Sequence, residues 1–266
     1  MKMIAEGKFP LLTLRKRGPQ SMISVIRTAT DMKTFDKLLK EVFTLRNRRR
    51  ITAKTILQSK SPYWFLYRRG LMTATASKRI VNQNRKKCNN EKLNRIISKC
   101  FPSTYTNPAM EYGIREEKNA LNAFLKIFKK SHLNPKIIDT GLILFDKAPY
   151  IGGTPDAILK CECCTELYLV EIKCPFRLAQ CGTEGWKMLE YFDEHGDLKK
   201  SHTYFSQLNL YLGITGIQTG YFVVYARGDT IIREINFDAS YFECQIQNMS
   251  EYYRNYYLPT VLGTKL

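Results

Sequence analysis

Hydrophobic residues recur along this chain with two periods, one helical and one extended. DMKTFDKLLKEVFTL places Phe35, Leu38, Leu39 and Val42 three or four apart, as on one face of a helix. SPYWFLYRRG predicts a shorter helix with Ser61 as N-cap, Pro62 in the first position and Gly70 as its stop, which puts Arg68 on the face of Trp64. NPAMEYGIREEKNALNAFLKIFKK opens on an Asn107 cap and Pro108 and carries Glu117, Leu121, Phe124 and Phe128 on one stripe. HTYFSQLNLYLGITG aligns Tyr204, Gln207 and Tyr211, and ASYFECQIQNMSEYYRNYYLP reads as a closing amphipathic helix that Pro259 stops.

The extended period appears between these helices. GTPDAILK and LYLVEIKC are apolar runs separated by a short Cys-rich stretch, the pattern of an antiparallel hairpin. GYFVVYARGDTIIREINF predicts a second hairpin turning at Arg227-Gly228-Asp229. In LYLVEIKC, Leu167, Leu169, Glu171 and Lys173 share one face, while Tyr168, Val170 and Ile172 share the other. Both faces begin apolar, so the strand reads as a central one covered on both sides. The elements together predict an α/β fold, a mixed central β-sheet flanked by helices. Residues 1–50 read as a basic N-terminal extension with one helix, and residues 51–266 as the main domain.

Charge on a buried strand needs local compensation, because an unpaired buried charge costs several kcal/mol. A mutual Glu171–Lys173 ion pair is the simplest. The hairpin, however, also brings Asp156 alongside Glu171, and two adjacent carboxylates repel unless a cation lies between them. Hard oxygen donors favour Mg²⁺, with Mn²⁺ able to substitute. A neighbouring lysine would position an attacking water, an arrangement suited to phosphodiester hydrolysis. Glu117, an acid on a core-facing stripe, needs either a basic partner or a place in that metal site. Arg68, drawn inward with Trp64, needs an anion, either a structural carboxylate or a bound phosphate.

The same residues resemble the PD-(D/E)XK nuclease superfamily, in particular the branch of lambda exonuclease and the YqaJ-like viral recombinases. The resemblance is carried in order by SPYWFLYRRGLMTAT (Trp64, Arg68, Gly70, Thr73, Ala74, with Thr75 where Ser is usual), GIREEKNA (Gly113, Glu117, Ala120), GTPDAI…VEIKCPF, and HTYFSQLNLYLGITG (His202, Gln207). Asn209 replaces a second glutamine often found in the family, and CECC lengthens the Asp-to-Glu spacing. The resemblance implies a restriction-endonuclease-like core in which Asp156, Glu171 and the backbone carbonyl of Ile172 bind Mg²⁺, with Glu117 in support. It further implies that Lys173 positions water, that Gln207 assists orientation, and that Arg68, Thr73 and Thr75 receive a 5′-phosphate. The expected activity is 5′-to-3′ degradation of double-stranded DNA from free ends, leaving 3′ single strands for recombination or replication. A single-strand annealing protein as partner and a homotrimeric ring follow by the same analogy. A structure- or sequence-selective endonuclease, or a catalytically decayed DNA-binding module, is the alternative.

Composition agrees with a polyanionic partner. There are 42 Lys+Arg against 24 Asp+Glu, a net charge of +18. No apolar run approaches the ~20 residues that span a bilayer, and the N-terminus lacks a signal-peptide core. The expectation is therefore a soluble intracellular protein making no membrane contact, with RNRRR leaving nuclear import open in a eukaryotic host. Its cysteines are then expected as reduced thiols. Cys161 and Cys164 form a CxxC without a second pair, and His132, His195 and His202 show no ligand spacing, so the CECC loop reads as free thiols.

Overall fold

The structure, a computed structural model, describes residues 20–81 and 106–263. Its first helices are α1 (Met22–Thr28), α2 (Met32–Val42) and α3 (Leu45–Lys54). Each begins at a side-chain cap. Ser21 and Ser24 bond reciprocally at α1, and Asp31 Oδ1 accepts from the Thr34 N–H at 2.7 Å on α2. RNRRR, expected as the solvated end of α2, instead occupies the opening turns of α3, with Arg46, Arg49 and Arg50 exposed. Met22, Val25, Ile26, Phe35, Leu39 and Ile51 join one continuous core with Leu169 and Phe222 of the sheet. The described part of the N-terminal segment therefore packs with the rest of the chain; residues 1–19 lie outside the described residues.

Helix α4 (Pro62–Arg68) begins at Pro62 as predicted, although the Ser61 hydroxyl donates to the Lys54 carbonyl (3.1 Å) and leaves the cap unmade. β1 (Met72–Thr73) runs straight into α5 (Ala74–Val81), and α6 (Pro108–Phe128) starts on Asn107, whose Oδ1 accepts from the Met110 N–H at 2.9 Å. Short strands β2 (Lys136–Ile138), β3 (Ile143–Leu144) and β4 (Ile151–Gly153) then lead to β5 (Ala157–Lys160) and β6 (Leu167–Lys173). α7 (Thr203–Thr215) crosses over to β7 (Thr219–Ala226), which turns into β8 (Asp229–Asn236) and α8 (Ala239–Tyr252).

The main sheet has the order β2-β5-β6-β7-β8, with β6 and β7 parallel and the other neighbours antiparallel; a small sheet has the order β1-β4-β3. The mixed sheet and both predicted hairpins are present. The β5–β6 pair registers Ala157 opposite Val170, and the β7–β8 turn uses positive φ at Arg227 (54°) and Gly228 (96°). β6 divides two cores as the alternation requires. Leu169 faces the large core with Leu208 and Leu212 of α7, while Val170 and Ile172 face a second core with Ala120, Phe124 and Phe128 of α6. Truncating fully buried Phe124 to alanine would cost about 3–5 kcal/mol.

β4 lies close against α7. A Cβ on Gly153 would stand 2.1 Å from Tyr211 Cε1, so this position admits only glycine without displacing that ring. The C-terminal helix differs from expectation, because Pro259 does not end it. The helical path runs on through a π-helical turn (Tyr253–Tyr257), where the Leu258 N–H donates to the Tyr253 carbonyl, into α9 (Leu258–Gly263), so Pro259, which has no N–H to donate, lies just past the wider turn. Arg254 in that turn grips Asp36 of α2 through two 2.8 Å bonds.

Candidate active site

Asp156 stands one residue before β5 begins to pair, and its Oδ2 accepts the Ile172 N–H at 2.6 Å. That bond fixes Asp156 against β6 beside Glu171. Glu171 is only 1% exposed, and its Oε1 accepts from both Lys173 Nζ and Gln207 Nε2, the latter at 2.6 Å. Its Oε2 is buried without a hydrogen-bond partner. The ion pair offered as the simple compensation is therefore present, yet it satisfies one carboxylate oxygen and leaves the other open.

Burial and the neighbouring Asp156 carboxylate push Glu171 up to about 8 and Glu117 up to about 7. Asp156 is itself raised by burial. Burial pulls the Lys173 ammonium down, but the Glu171 and Asp156 charges outweigh it and hold Lys173 above its ordinary value. Acids that hinder one another's ionisation, together with an unpartnered buried carboxylate oxygen, form a donor set suited to a hard divalent cation. Glu117 reaches this group electrostatically from α6 and makes no hydrogen bond to Asp156 or Glu171.

α7 supplies the support. Gln207 Nε2 also donates to Tyr211 Oη (3.0 Å), and the Tyr204 ring centroid lies 4.9 Å from Lys173 Nζ. Helical spacing had aligned these tyrosines with Gln207 but gave them no role; the three-residue and four-residue steps to Gln207 were the available signal. Asn209 points elsewhere. Its amide exchanges bonds with the backbone of Asp238 (Nδ2 to O 3.1 Å, N to Oδ1 2.9 Å), locking α7 to the start of α8.

Arg68 lies on the Trp64 face as read from the sequence, with Cζ 3.9 Å from the ring centroid. Trp64 Nε1 donates to Thr154 Oγ1 (3.1 Å) and Gln58 Nε2 to the Pro155 carbonyl (3.4 Å), which braces the segment entering Asp156. Arg68 Nε is buried without a hydrogen-bond partner, and burial lowers the guanidinium pKa. Among the described residues no carboxylate pairs with it. Thr73 is buried and Thr75 exposed, their hydroxyls 3.4 Å apart where β1 enters α5, and no hydrogen bond joins either to Arg68.

The structure thus brings together an aspartate at one strand end, an E-x-K tripeptide on the adjacent central strand and a glutamate of α6 that reaches them electrostatically, the arrangement that the PD-(D/E)XK resemblance implies. A family model for the YqaJ-like viral recombinase domain matches residues 63–218, more than half of the sequence, and the chain belongs to that family. Among solved structures, it resembles LHK-Exo, an alkaline exonuclease from Laribacter hongkongensis, in a complex with dAMP. The TM-score is 0.58 at 20% identity, covering 76% of this chain and 94% of that one. A SOX–DNA complex matches with TM-score 0.56 and 11% identity over 91% of this chain and 78% of that one. The shutoff and exonuclease protein of Kaposi's sarcoma-associated herpesvirus matches with TM-score 0.53 and 11% identity, over 86% and 76%. These are likenesses of fold. A comparison with curated proteins found no match. Among the described residues, no helix is long and apolar enough to cross a membrane.

Proposed function

We propose that this nuclease is a divalent-metal-dependent deoxyribonuclease that degrades duplex DNA from 5′ ends and leaves 3′ single strands for recombination. The observation that carries the reading is the buried Glu171 carboxylate, with Oε1 doubly bonded, Oε2 open and Asp156 fixed beside it by the Ile172 N–H. Asp156, Glu171 and the Ile172 carbonyl would hold Mg²⁺ or Mn²⁺, with Glu117 in support. Bound there, the ion would polarise the phosphoryl oxygen and stabilise the leaving oxygen.

The chain's own groups have separable tasks. Lys173 stays protonated, so it acts as a cationic donor that holds and orients the attacking water. Gln207 fixes the rotamer of Glu171, and Tyr211 fixes Gln207 in turn. Arg68, with Thr73 and Thr75, receives the 5′-terminal phosphate; its unpaired buried Nε supports that assignment. The +18 charge supports duplex DNA as the substrate, as does the DNA bound to SOX in its complex. A trimeric ring and a single-strand annealing partner belong to the same reading.

The test is digestion of end-labelled linear duplex and covalently closed circular DNA with Mg²⁺, Mn²⁺ or EDTA. The proposal expects metal-dependent shortening of the linear form from its 5′ ends and an intact circle. Cleavage of the circle would make it an endonuclease. Retained activity in EDTA would remove the metal from the reading.

A further inference from the structure

The hairpin tip between β5 and β6 holds a second group of ligand-type side chains, well separated in chemistry from the carboxylates. Cys161, Cys163 and Cys164 meet His132, which follows α6 by a single turn. Their Sγ and ring-nitrogen atoms all lie within 4.8 Å of one another. Ligand spacing in the sequence does not connect His132 with these cysteines, which lie 29 to 32 residues away. Strand pairing brings them together: β2 follows His132 and pairs with β5, whose end carries Cys161.

The separations discriminate between possible occupants. His132 Nδ1 lies 3.4, 3.9 and 3.6 Å from the sulfurs of Cys161, Cys163 and Cys164, and the Cys163 sulfur lies 3.5 and 3.7 Å from those of Cys161 and Cys164. A tetrahedron built on Zn–S of about 2.3 Å and Zn–N of about 2.0–2.1 Å has S···S edges of about 3.8 Å and S···N edges of about 3.6 Å. A disulfide would require about 2.05 Å between two sulfurs. Soft thiolates with one imidazole disfavour Mg²⁺ or Ca²⁺.

The surroundings hold Cys163 and the His132 ring in place. The Leu133 N–H donates to Cys163 Sγ at 3.1 Å, and the Glu162 N–H donates back to the Leu133 carbonyl at 2.9 Å, so the two loops are latched in register. His132 is held flat on Phe128 (3.9 Å between ring centroids, 8° between planes) and edge-on to Tyr168 at 5.2 Å, which fixes the ring that presents Nδ1. From this geometry we propose a Cys₃His zinc site formed by His132, Cys161, Cys163 and Cys164. It is closed and structural, with four protein ligands, and it clips the β5–β6 tip to the segment after α6. It is independent of the nuclease reading above.

The test is the metal content of the full chain, purified under reducing conditions and passed through a metal-scavenging resin. About one zinc per chain is expected, as for a closed four-ligand site. Co²⁺ exchanged into it should show the visible bands of tetrahedral geometry and thiolate-to-metal charge transfer. Cys161→Ser with Cys164→Ser, and separately His132→Ala, should lose the zinc, whereas Asp156→Ala with Glu171→Ala should keep it. If the cysteine variant does not fold, a mercurial titration of the native protein decides the matter, since zinc should be released as the thiols are modified. Absence of zinc after reconstitution with Zn²⁺, a disulfide among these cysteines in anaerobically handled protein, octahedral cobalt spectra, or zinc lost with the carboxylate variant would each overturn the proposal.

Discussion

Replacing Arg68 by methionine separates two explanations of the same half-buried cation by sign. In the structure, Arg68 stacks on Trp64, leaves Nε unpartnered and has no carboxylate partner among the described residues. Removing a guanidinium that was half of a buried ion pair costs about 3–5 kcal/mol, because the carboxylate is left alone. Removing one that awaits an anion loses only the stacking, about 1 kcal/mol, and relieves a desolvation cost of similar size or larger. Arg68→Met should therefore unfold in urea within about 1 kcal/mol of the wild type, or at higher denaturant. Its effect should fall on the DNA end. Each charge-assisted bond to a terminal phosphate is worth about 1.5–3 kcal/mol, so the ratio of degradation rates on 5′-phosphorylated and 5′-hydroxyl duplex should drop about 10- to 150-fold. Arg68→Lys, which keeps the charge and loses the planar fork, should fall between. The assay is the rate ratio on matched linear duplexes for the three proteins, with urea curves alongside. A folded Arg68→Met protein with an unchanged ratio would refute the phosphate assignment, and a loss of 3–5 kcal/mol with the ratio intact would restore the ion pair.

Asp156→Ala, Glu171→Ala and Lys173→Ala should each abolish cleavage of labelled duplex while DNA binding persists by fluorescence anisotropy; near-wild-type turnover in Lys173→Ala would remove its role with the water. Glu117 and Glu171 have folded pKa values of about 7 and about 8, above the ordinary carboxylate value. The metal-free fold thus binds extra protons between about pH 4.5 and 8, so its stability should fall as pH rises through that window, while Mg²⁺ affinity by calorimetry should rise. A pH-independent affinity would contradict both carboxylates as ligands. Asn209→Ala should lose about 1–3 kcal/mol in urea, from two broken bonds to the part-buried Asp238 backbone, and keep its turnover, whereas Gln207→Leu should lose about 10- to 100-fold in turnover and little stability. The logarithm of the DNA association constant should fall linearly with the logarithm of salt concentration, by about 0.9 per phosphate contacted; a flat response would deny a phosphate-tracking surface.

The central strand was legible because period-two alternation is a local property. Leu169 and Glu171 on one face and Val170 and Ile172 on the other could be assigned from eight letters, and a short return loop brought Asp156 beside them. Gln207 and Arg68 were legible through helical spacing and family resemblance. The helical end of the chain was only partly so. A proline usually marks a stop, but with the π turn at Tyr253–Tyr257 before it the helical path continues past Pro259, and no local pattern announces such a turn. His132 was hidden for a different reason: its distance to the cysteines is set by the pairing of β2 with β5, a tertiary fact that ligand-spacing rules do not sample. α1 is only seven residues long, too short for periodicity to register.

Ile172 gives the fold a mechanical linkage. Its N–H holds Asp156, while its side chain is set among Val223, Phe124 and the rest of the core under α6. Any repacking beneath α6 that tilts this one peptide plane would shift Asp156 relative to Glu171, although no altered atom need approach the DNA. Under the proposed nuclease reading, the α6 core would thus serve as a tuning screw for the chemistry on the opposite face. Randomising Val170, Val223 and Phe124 and selecting for turnover should yield faster and slower enzymes whose acidic residues are all intact.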